Sequence, residues 1–98
     1  MKDLTNRVAI VTGSSSGVGA ATARLLASQG CRVVINYNSN AAGAEEVASD
    51  CAATGAETLV FKANVANDED CVALAQAANE EWGRVDALVN NAGTTKFV

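Results

Sequence analysis

The sequence predicts an α/β fold, a parallel β-sheet with helices on both faces, from three observations. Four short runs rich in apolar and β-branched residues alternate along the chain with three longer stretches of helical spacing. Each helical stretch is followed by a glycine, at Gly30, Gly55 or Gly83. The first apolar run opens into a glycine-rich turn, Thr12-Gly13-Ser14-Ser15-Ser16-Gly17-Val18-Gly19, which leads straight into an alanine-rich helical stretch. Such alternation makes the strands parallel, because a strand returning in the same direction needs a crossover, and right-handed crossovers set helices on the sheet's faces.

The first strand is expected over residues 7–12 and the first helix over about 18–29, ending where Gly30 tolerates left-handed backbone angles. A second β-branched run, residues 31–36, precedes a helical stretch over about 41–54 that stops at Gly55. The third strand is expected over 57–62. Asn67 or Asp68 caps a third helix, and the acidic first turn Asp68-Glu69-Asp70 complements the helix dipole, so this charge run has a structural explanation. That helix ends at Trp82-Gly83, and residues 85–89 make a fourth strand running into Asn90-Asn91-Ala92-Gly93. No linker or low-complexity tract interrupts the pattern, and 98 residues suffice for one small domain and not for two.

Composition excludes several classes of function. Lys and Arg number 7 against 11 Asp and Glu, a formal net charge of -4, which leaves no electrostatic footprint for nucleic acid or an anionic membrane. No stretch is long and apolar enough to span a bilayer, and the run from Val8 to Val11 is too short for a signal peptide, so neither partner is expected and a cytoplasmic location is. Cys31, Cys51 and Cys71 are odd in number and widely separated, fitting neither a disulfide framework nor a zinc site. Each is expected to be a small buried thiol, and no metal site is expected.

In a sheet of this kind ligands bind at the carboxyl ends of the strands, where strand order reverses. The glycine turn lies at the first such end. A helix start leaves backbone N–H groups unpartnered and carries partial positive charge, which suits a pyrophosphate. Gly13 turns the chain out of the strand, Gly17 admits close approach of backbone to ligand, and Gly19 lets the helix pack close to the sheet, with Ser15, Ser16 and Val18 completing the loop. A flexible Gly/Ser loop without a ligand is the alternative, and the strand-to-helix context stands against it. The other strand ends supply Asn36-Tyr37-Asn38-Ser39, Asn64-Val65 and Asn90-Asn91-Ala92-Gly93. Any one of these Asn residues alone reads equally well as a turn residue. At the end of the second strand an acidic side chain would bind the ribose hydroxyls of NAD and repel a 2′-phosphate. Tyr37, Asn38 and Ser39 stand there instead, which favours NADP over NAD, although no Arg or Lys follows to neutralise the phosphate. In the competing reading Tyr37 packs its ring at the sheet edge while Asn38-Ser39 lead into a helix cap.

Two motifs resemble those of the short-chain dehydrogenases/reductases. The family's T-G-x-x-x-G-x-G is matched by Thr12, Gly13, Gly17 and Gly19, and its N-N-A-G by Asn90, Asn91, Ala92 and Gly93, in the same order and separation. The likeness runs over about residues 7–93, and Asn36-Tyr37 is similar to the NADPH-dependent 3-oxoacyl-(acyl-carrier-protein) reductase branch. The resemblance implies a Rossmann-type doubly wound parallel sheet, incomplete, with strand order 3-2-1-4. It implies hydride transfer between NADP(H) and a carbonyl or secondary alcohol. The loop from Gly13 to Gly19 would hold the pyrophosphate and adenosine ribose, Asn64 and Val65 the adenine, and Asn90, Ala92 and Gly93 the nicotinamide ribose side. The family usually has Asp-Val at the position of Asn64-Val65, and an amide can still accept from the adenine amino group and donate to a ring nitrogen.

In the family the catalytic Asn, Ser, Tyr and Lys lie downstream of N-N-A-G, and Thr94, Thr95 and Lys96 stand too close to that motif to replace them. Without the tyrosine and lysine, hydride transfer lacks its general acid. Residues 1–98 are therefore expected to be the amino-terminal part of a single dinucleotide-binding domain, with no catalytic residue of their own. The complete protein is expected to take a small carbonyl or acyl substrate and to form a homo-oligomer. A self-contained nucleotide-binding or interaction module without catalysis is the alternative.

Overall fold

The computed structural model describes residues 4–91, so the expectations for Ala92, Gly93, Thr94, Thr95 and Lys96 lie outside the described residues. The elements follow in the order β1 (Val8–Val11), α1 (Gly17–Ser28), β2 (Arg32–Tyr37), α2 (Ala41–Ala52), β3 (Thr58–Lys62), α3 (Asp68–Trp82) and β4 (Ala87–Val89). All strand pairs are parallel and the sheet order is β3-β2-β1-β4, as expected. The chain thus builds outward from β1 to β3 and then crosses back past β1 to lay down β4. The reversal of order falls at β1, with Val11 opposite Ile35 on one side and Val89 on the other.

Alternation along the strands sends neighbouring side chains to opposite faces, and each face has its own helical cover. On one face, Val11, Val33 and Ile35 pack with Ala20, Ala23 and Ala27 of α1 and Ala44, Val47, Ala48 and Cys51 of α2. These helical residues recur at intervals of three and four, so each helix turns one stripe inward, and the small alanines let α1 lie close to the strands. On the other face, Val8, Ile10, Val34 and Ala63 pack with Leu74 and Ala78 of α3, flanked by Leu59, Phe61 and Trp82.

Helix boundaries follow local chemistry. The Asn40 carboxamide oxygen accepts from the Gly43 N–H (3.0 Å) to start α2. Asn67, not Asp68, caps α3, accepting from the N–H groups of Glu69 (2.8 Å) and Asp70 (3.1 Å). Gly83, at φ 74°, ends α3 in the left-handed conformation. α2 stops at Ala52, two residues before the expected end, because the Thr54 hydroxyl donates to the Cys51 carbonyl (2.7 Å) and competes with the helical ladder there.

Two expectations are corrected. β4 begins at Ala87 instead of residue 85, because the Asp86 carboxylate, not a backbone carbonyl, takes the Val8 N–H (2.8 Å) where the ladder would otherwise start. Cys31 and Cys51 are buried, and loss of solvation pushes both thiols up, with nearby Asp86 adding to the rise at Cys31. Cys71, by contrast, is exposed. It sits on the first turn of α3 beside a groove of about 180 Å³ between α3 and β4, where its thiol donates to the Val65 carbonyl (3.2 Å). The same side of β4 leaves Leu88 62% exposed. Among the described residues no helix is long and apolar enough to cross a membrane, and no group of three or more His, Cys, Asp or Glu side chains is placed to hold a metal ion.

Candidate functional site

The turn after β1 is held on both sides before it reaches α1. The Thr12 N–H donates to the Val89 carbonyl (2.9 Å), and the Thr12 hydroxyl accepts from the Asn91 N–H (2.7 Å) while lying 3.2 Å from the Asn90 side-chain oxygen. This fastens β1 to the end of β4. On the other side the Ser14 N–H donates to the Asn36 carbonyl (2.9 Å), and the buried Ser14 hydroxyl donates to the Val11 carbonyl (2.7 Å). Between them the chain reverses at Gly13, whose φ of 61° belongs to the region that glycine enters without a steric penalty.

α1 begins at Gly17, one residue earlier than expected, with Ser16 as its N-cap in extended backbone and with no side-chain cap hydrogen bond. α2 and α3 both have Asn caps occupying N–H groups of their first turn. The first turn of α1 thus keeps N–H groups without a side-chain acceptor at the edge of the cleft, together with the partial positive charge of a helix start. Gly17 faces open space, with nothing within 4 Å of where a Cβ would lie. A Cβ on Gly19 would instead collide with the Gly13 carbonyl and the Asn91 carboxamide. The close packing expected of Gly19 is therefore against the turn and the end of β4, not the body of the sheet.

The carboxyl ends of the four strands surround a cavity of about 690 Å³, a size typical of ligand clefts. Of the residues singled out from the sequence, Gly13, Ser15, Ser16, Tyr37, Asn38, Asn64, Val65 and Asn90 line it. Gly17, Val18 and Gly19 are not part of its wall, and Ala92 and Gly93 lie outside the described residues. None of the lining residues is charged. Tyr37 both lines the cavity and packs against the apolar cluster under α1 and α2, so the sheet-edge packing weighed for it is present alongside its place at the cleft. Asn64 is held in a local turn, its side-chain oxygen accepting from the Ala66 N–H (3.0 Å) and its own N–H donating to Asp70 (2.7 Å).

The sequence reading placed Asn36 in a polar strand end and in the likeness to the reductase branch, and gave it no structural role of its own. In the structure it is buried and joins three strand ends: its side-chain oxygen accepts from the Gly13 N–H (2.9 Å), and its NH2 lies 3.2 Å from the Ala63 carbonyl. A polar residue at the end of the otherwise apolar run Val33-Val34-Ile35 was the available signal, since buried polar groups are hydrogen-bonded.

The sequence matches the model of the family described as short chain dehydrogenase over residues 7–98. The chain belongs to this family. It is 43% identical over 96 residues to a 3-oxoacyl-(acyl-carrier-protein) reductase of Synechocystis sp., a match covering 98% of this chain and 39% of that protein. It is 40% identical over 92 residues to glucose 1-dehydrogenase 2 of Bacillus subtilis, covering 94% of this chain and 36% of that protein. A hydroxysteroid dehydrogenase from Escherichia coli superposes with a TM-score of 0.86 at 33% identity, over 93% of this chain and 38% of that one. A Serratia marcescens short-chain dehydrogenase/reductase gives 0.90 at 39% identity, over 95% and 38%. The chain thus spans less than two fifths of the length of these relatives. The 3-2-1-4 parallel sheet with alternating helices is the Rossmann-like fold of the family, whose members are oxidoreductases using nicotinamide dinucleotides.

Proposed function

We propose that residues 1–98 are the amino-terminal, dinucleotide-binding part of a single domain in an NADP(H)-dependent oxidoreductase that interconverts carbonyls and secondary alcohols. The observation that carries this reading is the 690 Å³ cavity at the strand ends, lined by Gly13, Ser15 and Ser16 of the glycine turn, the last being the N-cap of the one helix among α1, α2 and α3 whose start has no side-chain cap hydrogen bond. An anion at that helix start meets free N–H donors and a favourable dipole. In this reading Gly13, Ser15, Ser16, Gly17, Val18 and Gly19 hold the pyrophosphate and adenosine ribose. Asn64 and Val65 flank the adenine, and Asn90, Ala92 and Gly93 flank the nicotinamide ribose. Asn64 spends one lone pair of its side-chain oxygen on Ala66 and keeps the other, with its NH2, for the base. Bound there, the coenzyme supplies the hydride acceptor or donor.

Preference for NADP(H) is supported by Tyr37, Asn38 and Ser39, which line the cavity where an acid would select NAD. The substrate class is a small carbonyl or acyl compound, and a 3-oxoacyl thioester is the first to try, given the reductase among the relatives. A cytoplasmic location and homo-oligomeric assembly belong to the same proposal. Titration of the protein from the complete reading frame with NADPH and NADH, followed by nicotinamide fluorescence, tests it. Saturable binding with the lower Kd for NADPH is expected; tighter NADH binding overturns the coenzyme preference, and binding of neither overturns the dinucleotide site.

A further inference from the structure

We infer, resting on the dinucleotide reading of the cleft, that Asn36 is a positioning residue that sets the separation between the glycine turn and the exit of β3, and so the seat of the coenzyme's pyrophosphate and adenosine half. Regular pairing between β1 and β2 stops at Val11 and Ile35. Past that point Gly13 and Ala63 stand on the cleft wall with β2 between them, and the side chain of Asn36, only 2% exposed, spans the interval. Its oxygen accepts from the Gly13 N–H (2.9 Å). Its NH2 faces three carbonyls, of Ala63 (3.2 Å), Phe61 (3.3 Å) and Tyr37 (3.4 Å). The Asn36 N–H donates to the Ser14 hydroxyl (2.9 Å) and the Asn36 carbonyl accepts from the Ser14 N–H (2.9 Å), so backbone and side chain together clasp the turn.

The bridge is polar in a fixed sense: an acceptor must face Gly13 and a donor must face the end of β3. A carboxamide presents both at once, whereas leucine offers neither and an ionised aspartate offers acceptors alone. Removing it takes the acceptor from the part-buried Gly13 N–H and a donor from the buried Ala63 carbonyl, which the turn and the β3 exit relieve by moving apart. The end of β4 is tied to β1 separately, through Thr12, Asn90 and Asn91, and Asn36 makes none of those bonds. The lesion therefore falls on the adenosine side of the cleft.

The test uses the protein from the complete reading frame with Asn36→Leu and Asn36→Asp, each assayed well below its melting temperature. Kd is measured for NADPH and for ADP, and backbone amide exchange is followed by NMR without ligand. Both Kd values are expected to rise about tenfold or more, with exchange at Gly13 in the leucine variant accelerating relative to Val34 and Ile35 in the strand. Asn36→Asp, equal in size and keeping an acceptor for Gly13, decides the matter if leucine prevents folding, and is expected to weaken both probes as well. A folded variant that binds NADPH and ADP within about twofold of the unsubstituted protein overturns the positioning role. Exchange that rises uniformly over the sheet does so too, since a merely stabilising side chain loosens every amide together. Failure of the unsubstituted protein to bind either probe overturns the dinucleotide reading itself, and this inference with it.

Discussion

Tyr37 is shared between two environments, its ring packed on the apolar cluster under α1 and α2 while the residue borders the cleft. Replacing it by aspartate brings a carboxylate to the place where ribose hydroxyls of NAD would be bound and a 2′-phosphate repelled. Tyr37→Asp is therefore expected to shift the NADPH-to-NADH ratio of binding constants toward NADH by about tenfold, a charge-assisted hydrogen bond being worth that much. A ratio unchanged from the parent would place the ribose elsewhere. Gly19 is constrained by contact, not by φ: the Gly13 carbonyl and the Asn91 carboxamide occupy the space beside it. Gly19→Val forces a β-branched side chain into backbone, at a cost of about 1–3 kcal/mol, and also pushes the turn out of shape. Thermal melting with a coenzyme titration checks both effects, and an unchanged melting temperature would show that the contact yields freely.

At the scale of elements, β4 has three paired residues, and a carboxylate contributes to its anchorage. Asp86 accepts from the Val8 N–H and from Arg84 (2.7 and 2.8 Å), with Arg7 at 3.7 Å. The Arg84 hydrogen bonds, then the Val8 N–H, hold its carboxyl down to about 2 from the ordinary 3.8. A folded-state value below the unfolded one means that the ionised form stabilises the fold: the contribution is complete above about pH 4 and is lost as pH falls toward 2. Asp86→Asn is expected to lower the melting temperature at pH 7, and the gap from the parent should close between about pH 4 and 2. Melting curves across that range decide, and a gap that persists at pH 2 would assign the loss to packing.

At the scale of the whole molecule, the sheet is thinly covered at β4, where Ala87 and Leu88 are both exposed. Leu88 on the α3 side is largely exposed, and β4 forms one edge of the described sheet. An open parallel edge beside exposed apolar side chains invites pairing with another copy. Residues 1–98 expressed alone are expected to give no turnover with NADPH and a panel of carbonyls, and to self-associate in light scattering. Turnover would place a general acid within these residues, and a stable monomer would show that the edge is protected.

The seven elements and their order were legible in the sequence because each depends on a few adjacent residues. Short continuous runs of apolar and β-branched residues, helical alanine stripes, the caps near Asn67 and the stops at Gly30, Gly55 and Gly83 are local signals. The glycine turn was legible for the same reason, and most of the candidate residues read from the strand ends do meet at one cleft, because parallel strands all present their carboxyl ends on one side. What the tertiary structure decided is which groups meet across large separations. The bond from Asn36 to Gly13 joins residues 23 apart, and that from Asn91 to Thr12 joins residues 79 apart. The burial of Asn36, the exposure of Cys71 and the late start of β4 at Ala87 follow from strand register and helix placement. Local periodicity specifies the face on which a side chain stands; only packing of the assembled sheet specifies the partner it finds there.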